Sequence, residues 1–234
     1  MISGNSKDHL VFLLNKIQNN EKFGLIRPAD GEYAVLQNIS LTNCDNWTFN
    51  TGGILCKQLL KSLSKYTANL YIGVPCPCCS REIYDYYLEI NSIPKNQLTY
   101  ANIFCNANWS EFIDFLKTYS NGFLLVSGGK LKPSEFSIKD IYNIDPLLVN
   151  SWDNMHEQET AKLLNWLSTK TNELVCFSAG PISKIWIPIA MEKYPNNIYI
   201  DIGSSLDLYT KGATNRPYTI AGHYYNRLVC DFNL

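Results

Sequence analysis

Short apolar runs alternating with amphipathic stretches constrain the fold of these 234 residues more than any other feature. FGLIR (23–27), NLYIGV (69–74), QLTYANI (97–103), GFLLV (122–126), ELVCFS (173–178) and NIYIDIG (197–203) carry little polar alternation. Runs of that kind suit strands buried on both faces, as in a parallel sheet. Between them, apolar residues recur at helical spacing. The stretch 53–66 puts Ile54, Leu55, Leu59, Leu60 and Leu63 on one face. The stretches 8–18, 153–169 and 182–194 also read as helices, 31–37 as a short one, and 80–90 and 110–119 as helices capped by Ser80 and Ser110. DPLLVN (145–150) reads as a short strand or extended segment. The alternation predicts an α/β fold: one Rossmann-like domain over 1–234, its mainly parallel sheet flanked by helices on both faces. Residues 204–234 lack a clean period and are expected to form an irregular C-terminal segment folded over the sheet edge.

The charge pattern narrows the partners. The formal net charge is -1 and no basic run stands out, so nucleic acid is not expected. The longest apolar runs are too short to cross a bilayer. MISGNSKDHLVFLL has no basic leading region and no small-residue cleavage site, so a cytoplasmic location is expected. With no export signal read, the eight cysteines are expected as free thiols rather than disulfides. Cys76 and Cys79 have C-x-x-C spacing, with Cys78 between them, but no second such pair follows. Cys44, Cys56 and Cys105 are the thiols considered to complete a zinc site, and incidental thiols are the preferred reading.

In an open parallel sheet, ligands bind beyond the carboxyl ends of the strands. Three turns fall there: RPADGE (27–32), SAGPISK (178–184) and DIGSS (201–205). Asp30 and Glu32 flank Gly31, and a turn at that spacing could aim both carboxylates at one point. Mn²⁺ or Mg²⁺ takes one or two carboxylates and completes its shell with water and phosphate oxygens. Arg27 could contact phosphate in a bidentate manner or pair with a carboxylate. Ser178, Gly180 and Pro181 open a helix whose N-terminal N–H groups attract phosphate, with Lys184 in reach of the same charge. Asp201, Gly203 and Ser204 are expected to line the crevice. NSWDNMHEQET (150–160) offers Asp153, His156 or Glu157 as a general base, with Asp153 preferred, against a plain reading as an acidic helix start. Arg216, in the C-terminal segment, could close over the donor or acceptor. Trp47, Trp109 and Trp152 are read as core filler.

At IRPADGEYAVLQN the sequence resembles the GT-D type glycosyltransferases, single-domain Rossmann-like enzymes first grouped as a domain of unknown function. Their signature reads R-F/Y-G-D-G-E before a short apolar helix, where this chain has Arg27-Pro28-Ala29-Asp30-Gly31-Glu32. A strand–GP–helix turn and a later D-I-G follow in the family, and here Ala179-Gly180-Pro181 and Asp201-Ile202-Gly203 stand in that order. Pro28-Ala29 replaces the family's aromatic–glycine pair, and Ser204 stands where members often have His. The resemblance implies transfer of a hexose from a nucleotide sugar, in particular a UDP-sugar, to a saccharide or glycoprotein-glycan acceptor. It implies that Asp30 and Glu32 hold Mn²⁺ or Mg²⁺ against the diphosphate. A homodimer is compatible with this reading. The alternatives are a Rossmann-like hydrolase or phosphotransferase using the same carboxylates, and a non-catalytic domain that binds a nucleotide sugar. A dinucleotide-dependent oxidoreductase is disfavoured because no G-x-G-x-x-G is present.

Overall fold

The structure is a computed structural model that describes residues 4–43, 46–50, 52–91 and 94–232. Among the described residues the chain forms nine strands: β1 (Gly24–Ile26), β2 (Leu41–Thr42), β3 (Thr48–Phe49), β4 (Leu70–Val74), β5 (Leu98–Tyr100), β6 (Phe123–Ser127), β7 (Ile138–Asn143), β8 (Leu174–Ser178) and β9 (Ile198–Asp201). The helices are α1 (Ser6–Gln18), α2 (Asp30–Leu36), α3 (Ile54–Ser64), α4 (Arg81–Ile90), α5 (Trp109–Thr118), α6 (Leu148–Leu167), α7 (Pro181–Lys193) and α8 (Asp207–Thr210).

Seven strands form one sheet in the order β5-β4-β1-β9-β8-β6-β7, and β2 and β3 make a separate two-stranded ribbon. Every pairing in the large sheet is parallel. The period of two along each strand divides its side chains between two cores. Ile26, Leu124, Val126, Val175 and Phe177 face a layer built from α3, α4, α6 and α7. Leu25, Phe123, Leu125, Leu174 and Cys176 face α1 and α5. Each fully buried aliphatic side chain contributes about 1.5–3 kcal/mol, so this double coverage makes the long apolar runs favourable. The expected α/β sheet with helices on both faces is therefore the observed architecture.

The departures have local causes. The extended segment expected at 145–150 instead leads into α6: Asp145 Oδ1 accepts from Leu147 N at 2.8 Å and the Asp145 carbonyl from Leu148 N at 3.0 Å. Strand β7, IKDIYN, is absent from the sequence-based expectations because it is an edge strand with several polar and partly exposed residues. Helix α5 starts at Trp109, after Asn108, so Ser110 is not its cap. Ser80 does cap α4, its Oγ accepting from Ile83 N at 3.4 Å. The C-terminal segment contains α8 and short 3₁₀ turns at Pro217–Thr219 and Tyr224–Arg227.

The strand order fixes where a ligand fits. From β1, the chain builds outward through β4 and β5 on one side, while β9, β8 and β6 lie on the other. The chain leaving β1 joins the α3/α7 layer through Val35, and the chain leaving β9 joins the opposite layer through Ile202 and Leu206. Such a divergence between neighbouring strands opens a crevice at their carboxyl ends.

Candidate active site

A cleft of about 660 Å³ occupies that crevice. Residues following six strands line it: Arg27 after β1, Ala101 after β5, Gly128 after β6, Ile144 after β7, Ala179 after β8 and Gly203 after β9. Asp30, Gly31, Glu32, Ser178, Gly180, Lys184, Ser204 and Arg216 complete most of the set anticipated from the sequence. Lys211, Asp207, Tyr218, Asn102 and Trp47 also line the cleft.

Beneath the cleft lies a buried network of charges. Lys184 Nζ, at the first turn of α7, sits 2.8 Å from Asp201 Oδ2 and 3.0 Å from Glu32 Oε1, and donates to the Gly180 carbonyl at 3.1 Å. The side chains of Lys184, Asp201 and Glu32 are 5%, 0% and 8% exposed. Burial opposes the ammonium charge, but Asp201 and then Glu32 outweigh it and raise the lysine's pKa. The expected lysine–phosphate contact is thus replaced by two internal ion pairs. The amides at the start of α7 are likewise engaged: Ile182 N donates to the Ala179 carbonyl and Ser183 N to the Gly180 carbonyl, both at 3.2 Å. Pro181 has no N–H to offer. Two of the amides expected to face phosphate are therefore turned to internal carbonyls.

Asp201 lies under the cleft rather than along it. Its Oδ2 also accepts from Arg27 N at 3.2 Å, its Oδ1 from Gly203 N at 3.0 Å, and its carbonyl from Arg27 Nε at 2.6 Å. Arg27 Nη1 donates to the Ala101 carbonyl at 2.8 Å, and the guanidinium carbon stands 5.2 Å from the Phe104 ring centroid. The arginine is buried and held as a unit with Asp201, while still lining the cleft. Gly203 makes this possible: its φ is +53°, and a Cβ there would stand 2.4 Å from Arg27 Nη2.

The D-x-E pair is split in role. Asp30 and Glu32 are the first and third residues of α2, and helical neighbours two apart point in different directions. Glu32 is buried; its Oε2 accepts from Ala29 N at 3.0 Å while Oε1 meets Lys184. Asp30 is exposed in the cleft, and among the described residues no ion pair engages it. Two cations, Arg27 and Lys184, balance two buried anions, Glu32 and Asp201, and exposed Asp30 stands outside this balance. Asp30 is therefore the accessible carboxylate of the two, while both oxygens of Glu32 meet internal partners.

Asp153, expected as the general base, stands instead at the start of α3. It lies outside the cleft lining, and its Oδ1 accepts from Ile54 N at 2.8 Å and Leu55 N at 3.3 Å. It caps α3, whose own N-cap position is a glycine without a side chain. Trp152 is core as expected, its Nε1 donating to Gln58 Oε1 at 2.8 Å, and Trp109 donates to the Ser205 carbonyl at 2.9 Å. Trp47 is both core and cleft wall: its ring lies 3.7 Å from where a Gly31 Cβ would be, and its Nε1 3.5 Å from a Gly180 Cβ. A Cβ at either glycine would make only ordinary van der Waals contact with the indole. Ser204 is held by Tyr218, their hydroxyls 2.8 Å apart. The C-terminal segment thus supplies Ser204, Asp207, Lys211, Arg216 and Tyr218 to one wall. Its lack of period concealed all of these except Ser204 and Arg216 from sequence reasoning.

No family model and no curated protein matches the sequence. Solved structures do match the fold. The structure described as "A New Glycosyltransferase (DUF1792) from Streptococcus sanguinis" is 14% identical, covers 87% of this chain and 84% of that one, and gives a TM-score of 0.58. Another, described as "The highly conserved domain of unknown function 1792 has a distinct glycosyltransferase fold", is 15% identical over 93% of this chain and 86% of that one, with a TM-score of 0.55. A selenomethionine structure of domain of unknown function 1792 is 16% identical with the same coverage and a TM-score of 0.57. At these identities the likeness establishes the fold: this chain has the architecture of that glycosyltransferase domain.

Proposed function

We propose that this chain is a metal-dependent glycosyltransferase that moves a hexose from a nucleotide sugar, a UDP-sugar in particular, to a saccharide or glycoprotein-glycan acceptor. The observation that carries the reading is the cleft at the β1/β9 divergence, where an exposed Asp30 shares the lining with Lys211 and Arg216. The likeness in fold to structures described as glycosyltransferases supports the same class.

In the proposed reaction the bond between the anomeric carbon and the diphosphate oxygen breaks. A bond from the acceptor hydroxyl to that carbon forms, and the hydroxyl proton leaves to a base. Asp30, with Glu32 behind it, would hold Mn²⁺ or Mg²⁺. When bound, such a cation offsets charge developing on the departing nucleoside diphosphate. Arg216 places positive charge in the same cleft, suited to phosphate oxygens, and half-exposed Lys211 adds to it while paired with Asp207 at 3.0 Å. Trp47, between Gly31 and Gly180, gives the donor an apolar surface to pack on. Lys184, Asp201 and Arg27 act by holding Glu32 and the Gly203 turn in place rather than by contacting the reacting atoms.

The test is thermal stabilisation of the full chain by UDP, GDP and CMP, each with and without Mn²⁺, followed by product analysis with the matching nucleotide sugar. A ligand at a hundred times its dissociation constant stabilises by about 2.7 kcal/mol. UDP with Mn²⁺ is expected to raise the melting temperature, and sugar is expected on an acceptor hydroxyl. Release of sugar or phosphate to water alone would favour hydrolysis or phosphoryl transfer. Binding without turnover in any acceptor screen would favour a binding domain, and no stabilisation by any nucleotide would remove the reading.

A further inference from the structure

Four sulfur atoms from two distant parts of the chain meet beyond the end of β4. Cys76, Cys78 and Cys79 occupy the turn after that strand, and Cys230 arrives from the C-terminal segment, 151 positions beyond Cys79. All four sulfurs lie within 4.8 Å of one another, and Cys79 Sγ is 3.7 Å from Cys230 Sγ. Thiolates arranged tetrahedrally about zinc, with Zn–S near 2.3 Å, stand about 3.8 Å apart. Among the described residues this is the cluster of potential metal ligands that closes on a single point.

The surroundings fit the same ion. The Cys76 carbonyl accepts from Cys79 N at 3.0 Å and Ser80 N at 3.1 Å, which folds the three neighbouring cysteines into a tight turn. Cys230 is fixed from the other side: its N–H donates to Ser6 Oγ at 3.0 Å, and its carbonyl accepts from Ser6 N at 2.9 Å. Asn102 Nδ2 points at two of the sulfurs, 3.5 Å from Cys79 and 3.6 Å from Cys230. Amide donors aimed at thiolate sulfur are the outer support that such centres use. Cys76 and Cys230 are buried against Tyr100 and Phe232, so one side of the cluster is shielded from water.

The structure joins Cys76 and Cys78 as a disulfide, which corrects the expectation of free thiols at these two positions. Cys56, Cys79, Cys105, Cys176 and Cys230 are free. Cys56 and Cys105, considered from the sequence as further ligands, are not in the cluster, and Cys44 lies outside the described residues.

We propose that the thiol form of the chain binds one zinc ion through Cys76, Cys78, Cys79 and Cys230, as a closed structural site. Binding exchanges thiol protons for the metal and moves no electrons, so it requires only that the four cysteines be reduced. With four protein ligands no position is left for a substrate. The ion's role is mechanical: it ties the C-terminal segment, which carries Arg216 and Tyr218 into the cleft, to the end of β4. Asn102, which touches both the sulfurs and the cleft, places this tie against the wall of the site. The proposal stands whether or not the cleft transfers sugar.

The full chain is to be produced in zinc-supplemented medium and purified throughout with a phosphine reductant. Elemental analysis is expected to find one zinc per chain, released by a mercurial thiol reagent. Exchange with cobalt is expected to give thiolate-to-cobalt charge transfer and the intense visible bands of tetrahedral coordination. Cys79→Ser and Cys230→Ser should lose the metal, whereas Cys56→Ser should keep it. Folded wild-type protein without zinc would overturn the proposal, as would iron in its place. So would zinc retained by both serine variants, or a mass short by two hydrogens under the reductant, marking a persistent disulfide. Should the serine variants fail to fold, the wild-type metal content and cobalt spectrum decide the matter.

Discussion

Replacing Lys184 by methionine tests the charge network under the cleft. Methionine keeps the length and apolar stem of the side chain but removes the ammonium that stands between Asp201 and Glu32. Two carboxylates would then remain in a site where the pair is 0% and 8% exposed. Removing one partner of a buried ion pair costs about 3–5 kcal/mol, mostly because the remaining charge is left without compensation. For a chain of this size each kcal/mol moves the melting temperature by about 2–4 °C, so the expected fall is about 6–20 °C. Scanning calorimetry at neutral pH measures it directly. Adding Glu32→Gln to Lys184→Met takes away one of the stranded charges, so the double variant should melt higher than the sum of the single losses implies. The pH dependence carries a second signature. Lys184 has its pKa raised in the folded state, so its stabilisation is fully present below the ordinary lysine value of 10.5 and disappears as pH rises through the higher folded-state value. The gap in melting temperature between wild type and Lys184→Met should therefore persist up to about pH 10 and narrow only above it. A fall under 2 °C, or a gap that closes already between pH 6 and 8, would refute the buried network as the element holding Glu32 in place.

Other outcomes separate the roles of neighbouring residues. Asp30→Asn should leave the unfolding free energy within about 0.5 kcal/mol of wild type, since the side chain is exposed, while abolishing the Mn²⁺-dependent stabilisation by UDP; retention of that stabilisation would remove Asp30 as the metal ligand. Glu32→Gln should lower stability as well as any transfer activity, because its carboxylate serves both Ala29 N and Lys184; unfolding by urea at matched conditions reads the difference. Asp153→Ala should cost about 1 kcal/mol through loss of the α3 cap and leave nucleotide binding unchanged, as thermal scans with and without UDP would report. Gly203→Ala should destabilise by more than 1 kcal/mol, since the new methyl meets both a positive φ and the Arg27 guanidinium.

The residues anticipated for the cleft gathered there unequally. Ser178, Gly180, Gly203 and Arg216 line it, and the turn at 27–32 brings Asp30 to its edge. What the local pattern conveyed was position: a residue just past the end of a parallel strand belongs at the crevice, because every strand in such a sheet ends on the same side. What it could not convey was partnership. Lys184 was a plausible phosphate ligand until Glu32 and Asp201 were placed beside it. Asp153 was a plausible base until the bare N-terminus of α3 was found against it.

By itself, then, the chain's order of apolar runs and helical periods determined the α/β sheet, its two covered faces and the edge where the cleft lies. These follow from side-chain periodicity, which is written in consecutive residues. Tertiary structure decided which charges meet: Arg27 and Asp201 are 174 positions apart, and only the adjacency of β1 and β9 joins them. It likewise brought Cys230 to the turn at 76–79 and the aperiodic C-terminal wall to the cleft. Ion pairs and metal ligands depend on distances of a few ångströms between remote segments. Strand order sets those distances, and no local stretch of sequence carries them.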